Sequence, residues 1–67
     1  MNKLYSLPNV GMCAVIKKML DEKGIEYECI EDEMEMMLNG YEAVPVLETD
    51  ECVFTRPVEI KKWIMEQ

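Results

Sequence analysis

Histidine is missing from all 67 residues. Its absence removes Cys-His nucleophile pairs and Ser-His-Asp triads, and with them the commonest side-chain ligand of zinc and iron. Positive charge is scarce: 7 Lys plus Arg stand against 14 Asp plus Glu, a net charge of −7. A phosphate-binding surface carries the opposite sign, so neither nucleic acid nor an anionic membrane is an expected partner. No run of 18 apolar residues occurs, and the opening segment MNKLYSLPNV holds one Lys and no long apolar stretch. Neither a membrane span nor a secretory leader is expected, and a cytoplasmic location is the corresponding expectation. Paired C-x-x-C motifs are absent as well. Cys13, Cys29 and Cys52 are odd in number and lie 16 and 23 positions apart, which fits neither a disulfide framework nor a zinc site. No metal and no cofactor is therefore expected, and Cys29 and Cys52 read as inert thiols in or beside the core.

What is present suffices for one domain, residues 1–67, expected to be a monomer. A chain of this size buries only about 60% of the surface its unfolded form exposes, enough for a modest core and a shallow surface site. Lys3 to Leu7, KLYSL, is short, mostly apolar and stopped by Pro8 and Asn9, which predicts a buried strand. From Gly11 to Lys23 the period changes. Met12, Val15, Ile16, Met19 and Leu20 form the stripe of an amphipathic helix, with Gly24 as its stop. Ile25 to Ile30 reads as a second strand, and so compact a strand-helix-strand series implies a right-handed crossover between parallel strands.

In EDEMEMMLNG, Asp32 and Glu35 are spaced as a capping box, and Asn39-Gly40 closes a short second helix. Met34, Met37 and Leu38 share one face of it, and the methionines read as adaptable core filler. Ala43 to Glu48, the polar tip Thr49-Asp50-Glu51 and Cys52 to Thr55 predict an antiparallel hairpin. Pro57 opens a last helix with Ile60, Trp63 and Ile64 facing inward. The order is βαβαββα.

That order, YSLP ahead of a cysteine at the start of the first helix, DEKGIEYECIE as helix end and second strand, and AVPV at the third strand together resemble a glutaredoxin, a member of the thioredoxin fold. The stretch FTRPVEIKKWI is most similar to the glutaredoxin-like hydrogen donors of ribonucleotide reductase, whose last helix also opens with an Arg-Pro pair. The likeness covers nearly the whole chain. The expected architecture is an α/β thioredoxin-like fold: a four-stranded mixed sheet of order 2-1-3-4, helices one and three on one face, helix two on the other.

The resemblance also locates a site, and there this sequence departs from the family. The family's Cys-x-x-Cys falls on Val10-Gly11-Met12-Cys13, so only the second cysteine is kept and Val10 stands where the first would be. The resemblance implies that the first cysteine is the nucleophile and the second, here Cys13, the resolving thiol. A mixed disulfide at Cys13 then needs an outside thiol to resolve it. Cys13 lies at the edge of the apolar stripe, where partial burial opposes what the helix N-terminus and Lys17 at i+4 offer an anion. Cys29 could substitute as a partner only with its Cα within about 7 Å.

The resemblance further implies a cis Val44-Pro45 bond whose preceding backbone groups pair with a substrate chain, a form of strand addition. Val10, Gly11, Met12, Val44 and Pro45 are accordingly the expected substrate-binding residues and Cys13 the expected catalytic one. CVFTRPVE lacks the glycine pair of glutathione-using members, which argues against glutathione, and the hydrogen-donor relatives take electrons from a reductase protein. Three readings stay open: thiol-disulfide exchange of reduced or specialised activity through Cys13, a non-catalytic module that binds a protein partner along the cis-proline groove, or a Cys13 that is only a core thiol.

Overall fold

In the computed structural model, which describes residues 1–67, β1 (Asn2–Tyr5) buries Leu4 and Tyr5 on opposite faces, as the alternation of strand side chains requires. Helix α1 (Gly11–Glu22) follows and buries Cys13, Ile16 and Leu20. Val15, expected in the same stripe, is instead 43% exposed. With 3.6 residues per turn it lies roughly 130° round from the centre of the buried three, beyond the width of one packed face. Lys23 caps the helix, and Gly24 turns the chain away at φ 67°, a conformation that suits glycine.

The second strand, β2 (Tyr27–Ile30), runs parallel to β1 in the register Leu4 to Cys29. Asp32 then caps α2 (Glu33–Leu38), its carboxylate accepting the Met34 N–H at 2.9 Å. Only half of the expected capping box forms, because no carboxylate bond returns from Glu35. The reading of the methionines as core filler also needs correction. Met34, Met37 and Leu38 are 64%, 73% and 80% exposed, and Met36 alone goes inside, against Tyr5 and Val46. A helix of six residues lying on a sheet presents little more than one side chain to it.

The chain returns through β3 (Val46–Glu48), a turn, β4 (Val53–Phe54) and α3 (Pro57–Met65), which starts on its proline and buries Ile60 and Ile64. Thr49 organises the turn: its hydroxyl accepts the N–H groups of Glu51 and Cys52 at 3.3 and 3.0 Å, while its own N–H donates to the Cys52 carbonyl at 2.8 Å. Cys52 is exposed there rather than in or beside the core. Strands β2, β3 and β4 are each shorter than the runs that predict them, and β1 starts one residue earlier and ends two residues sooner than Lys3 to Leu7.

The sheet order is β2-β1-β3-β4, with β1 and β2 parallel and the other two pairs antiparallel. One face carries the main core of Leu4, Ile16, Leu20, Leu47, Ile60 and Ile64, built by α1 and α3, with Trp63 against Phe54 at its rim. The other carries the smaller cluster of Tyr5, Met36 and Val46 under α2. This is the expected α/β architecture. No helix is long and apolar enough to cross a membrane.

Candidate functional site

Two segments meet at one end of the sheet. The antiparallel register sets Tyr5 opposite Val46, so the chain leaving β1 through Ser6 and Leu7 runs alongside the chain arriving at β3 through Val44 and Pro45. Leu7 and Val44 both pack on the Tyr5–Met36–Val46 cluster. The Val44-Pro45 peptide bond is cis, and Pro45 is buried. Beyond Leu7 the chain turns, with the Val10 N–H donating to the Leu7 carbonyl at 3.3 Å, and enters α1.

Val10 is the N-cap residue of α1 in an extended conformation (φ −101°, ψ 112°) and is half-buried. Its side chain caps nothing, and the first turn holds no acid. Gly11 is exposed, with open space where a Cβ would stand. Met12 is half-buried, and Cys13 is 1% exposed. Of the six residues singled out from the sequence, Val10, Gly11, Met12 and Cys13 thus share the first turn of α1, while Val44 and Pro45 lie beside the segment leading into it.

Lys17 does not serve Cys13. Its ammonium lies 3.6 Å from the Glu31 carboxylate. Desolvation pulls the Lys17 pKa down, but the Cys29 sulfur and the Glu31 carboxylate outweigh that and hold it above its ordinary value. Cys29, expected in or beside the core, is exposed at the sheet edge, 3.3 Å from the hydroxyl of fully buried Ser6. It is exposed because β2 is the outermost strand and leaves one flank of its side chains to solvent. All three thiols are free.

Their burial predicts a reactivity order. In the native protein Cys29 and Cys52 should be alkylated readily, and Cys13 at least ~100-fold more slowly, the factor that about 3 kcal/mol of local opening imposes. Mass spectrometry of timed iodoacetamide reactions checks this. Equal rates at all three would show that the first turn of α1 does not stay closed.

Beside Val44 an open groove of ≈ 570 Å³ runs between α2 and the segment after it, lined by Leu7, Met36, Met37, Tyr41, Ala43 and Val44, with Glu33 and Glu42 also at its wall. Sequence reasoning found Val44 but not this groove. Its signal was present in the α2 methionines, whose share of exposed positions no periodicity argument separates from buried ones in so short a helix.

Tyr41 forms part of the wall. Its hydroxyl donates to Glu48 Oε2 at 2.7 Å, and its ring meets Tyr5 edge-on at 5.0 Å. Desolvation, with the Glu48 hydrogen bond and charge next, pushes the Tyr41 phenol up to about 12. Tyr5 and Tyr27 are raised too, each chiefly by desolvation, with Glu48 and Asp21 respectively contributing negative charge. A phenol raised in the folded state stabilises the fold fully below its unfolded pKa of 10 and loses that contribution as pH climbs through the folded value. Phenolate absorbance should therefore appear later in the folded protein than in urea, with at least one tyrosine titrating near 12 or only on unfolding. Coincident titration curves would overturn this environment.

No family model and no curated protein sequence matches the chain. Solved structures do. Glutathione transferase F7 from Populus trichocarpa superposes with a TM-score of 0.77 over 98% of this chain at 23% identity. A glutathione-S-transferase from Xylella fastidiosa does so with 0.78 over 98% at 22% identity. The chain spans only 35% of each of those transferases. The glutaredoxin-like protein NrdH-redoxin from Escherichia coli aligns over 91% of both chains with a TM-score of 0.69 and 19% identity. At such identities the likeness is one of fold, and the fold is thioredoxin-like.

Proposed function

We propose that residues 1–67 form a single glutaredoxin-like domain, resembling the hydrogen donors of ribonucleotide reductase, that acts in thiol-disulfide chemistry with reduced or specialised activity through Cys13. What supports this reading is the approach, at one end of a thioredoxin-like sheet, of the Ser6–Leu7 segment that leads into α1 and the Val44-Pro45 segment that leads into β3. In the proposed reaction the Cys13 thiolate attacks a partner disulfide, the bond between its two sulfurs breaks, and one leaves as a thiolate. Cys13 is left in a mixed disulfide with the other. Val10 carries no sulfur to displace that second half, so an outside thiol, on a reductase or another protein, completes the exchange. Val10, Gly11, Met12, Val44 and Pro45 frame the incoming chain. Glutathione is not the proposed electron source, since the glycine pair is absent, and a cytoplasmic monomer is the proposed working form.

The burial of Cys13, 1% exposed, favours a second reading in which the domain binds a partner along the same edge without chemistry. Insulin reduction by the native chain, Val10→Cys, and Val10→Cys with Cys13→Ser tests the pair. The first reading expects a slow native chain and a gain in Val10→Cys that needs Cys13. A Val10→Cys protein no faster than native leaves the binding role.

A further inference from the structure

Ten of the 14 acidic residues fall between Lys23 and Arg56, a stretch of 32 residues with no Lys or Arg. That stretch builds β2, α2, β3 and β4, so one side of the molecule is acidic while six of the seven basic residues sit on the helical elements and their caps. The exception, Lys3, has Glu28 and Glu48 as its register partners on either side. Met34, Met37 and Leu38 on α2 stand uncovered next to the groove walled by Met36, Tyr41 and Val44, as do Val15 on α1 and Val58 and Met65 on α3 away from it. Glu33 and Glu42 stand at the groove itself, and both are exposed.

An apolar groove edged by carboxylates selects by two independent forces. Burying an apolar side chain supplies affinity, while the carboxylates attract cations and repel anions, which sets the sign of the ligand. We infer that the groove between α2 and residues 40–44 binds a basic segment of a protein partner, one that inserts an apolar side chain flanked by Lys or Arg. A cationic segment answers the net charge of −7 and the run of acids without bases, and the unbranched, flexible methionines accommodate an inserted side chain of variable shape. The groove volume of ≈ 570 Å³ takes one or two such side chains and no whole domain. This inference rests on the partner-binding reading above, with which the groove shares Val44, and not on the thiol.

Binding is measured with excess reductant and cysteine-free probes, so a failed disulfide reaction and a failed docking are separate results. The probe is the capped hexapeptide Lys-Lys-Leu-Phe-Lys-Lys; the controls are Glu-Glu-Leu-Phe-Glu-Glu and Lys-Lys-Gly-Ser-Lys-Lys. Titration into isotope-labelled protein should move the amide signals of Leu7, Met36, Met37 and Tyr41 through Val44. The basic apolar probe should bind roughly tenfold or more tightly than either control, and added salt should weaken it. Glu33→Gln and Glu42→Gln should each weaken it roughly two- to fivefold, with unchanged circular dichroism because both positions are exposed. Equal binding of the acidic or the polar control overturns the inference. So do shifts centred away from the groove, or a concentration-dependent dimer that covers Met34, Met37 and Leu38 with a second copy.

Discussion

Leu47→Ala should lower the free energy of unfolding by about 3 kcal/mol, within the ~2–5 kcal/mol that deleting a buried leucine costs. Leu47 is fully buried on a central strand, opposite Leu4 on β1 and Phe54 on β4, and closes the cluster with Ile16, Leu20, Ile60 and Ile64. Backbone pairing on both sides of β3 prevents the sheet from collapsing into the space left behind. A chain below 70–80 residues holds only ~3–5 kcal/mol in a core of this kind, so the variant should be partly unfolded in plain buffer at 25 °C. Met34→Ala, at a position 64% exposed, should change stability by less than about 0.5 kcal/mol. Urea titrations followed by circular dichroism decide this. A loss below about 1 kcal/mol at Leu47 would contradict the packing described.

The elements were legible in the sequence wherever a periodic apolar pattern had room to repeat. Helix α1 spans Gly11–Glu22, one residue short of the expected range, because three turns register a stripe and Gly24 ends it. The parallel β1–β2 pair followed from connection length, and the antiparallel hairpin from its polar tip. Helix α2 is legible in its bounds but not in its face: six residues do not define a stripe, so the pattern turns its methionines inward when only Met36 points there. The cysteines failed for a related reason. A thiol is small enough to suit core or surface, and whether β2 is an edge strand is a property of the whole sheet, so nothing local marks Cys29 as exposed.

The candidate site was legible only in part. Composition removed histidine chemistry and basic ligand surfaces outright, but Val10 and Val44-Pro45 are unremarkable as isolated residues; resemblance singled them out, and the β1–β3 register brings their segments together. The side-chain surroundings were not readable. At i+4 from Cys13, Lys17 is spaced to serve it, yet Glu31 just beyond β2 lies within reach and draws the ammonium to the sheet edge. The asymmetric charge and the exposed methionines acquire meaning only once α2 and residues 40–44 are seen to enclose a groove.

Val10→Cys should convert a slow protein into one that reduces insulin roughly tenfold faster or more. The N-terminus of α1 is the reason. Its amides have no side-chain cap and no first-turn acid to compete for them, so an anion at position 10 would meet donors already in place and the positive end of the helix dipole. In such surroundings a thiol ionises well below the free value of about 8.5, which at neutral pH raises the thiolate fraction about tenfold. Half-burial of Val10, against 1% exposure of Cys13, gives the introduced thiol the better access. It would attack the insulin disulfide and release one thiolate; Cys13 would then displace the second half, closing an intramolecular disulfide as insulin gains both electrons. With Cys13→Ser added, the reaction should stop at the mixed disulfide, detectable as a covalent adduct. Mild oxidation of Val10→Cys alone should lower its mass by two hydrogens, with that bond mapped to Cys13 and not to exposed Cys29. A native chain as fast as Val10→Cys would remove the argument that position 10 limits exchange. A disulfide formed with Cys29 instead would mean that Cys13, buried on the inner side of the first turn, is a core thiol on a scaffold that no longer supports the exchange.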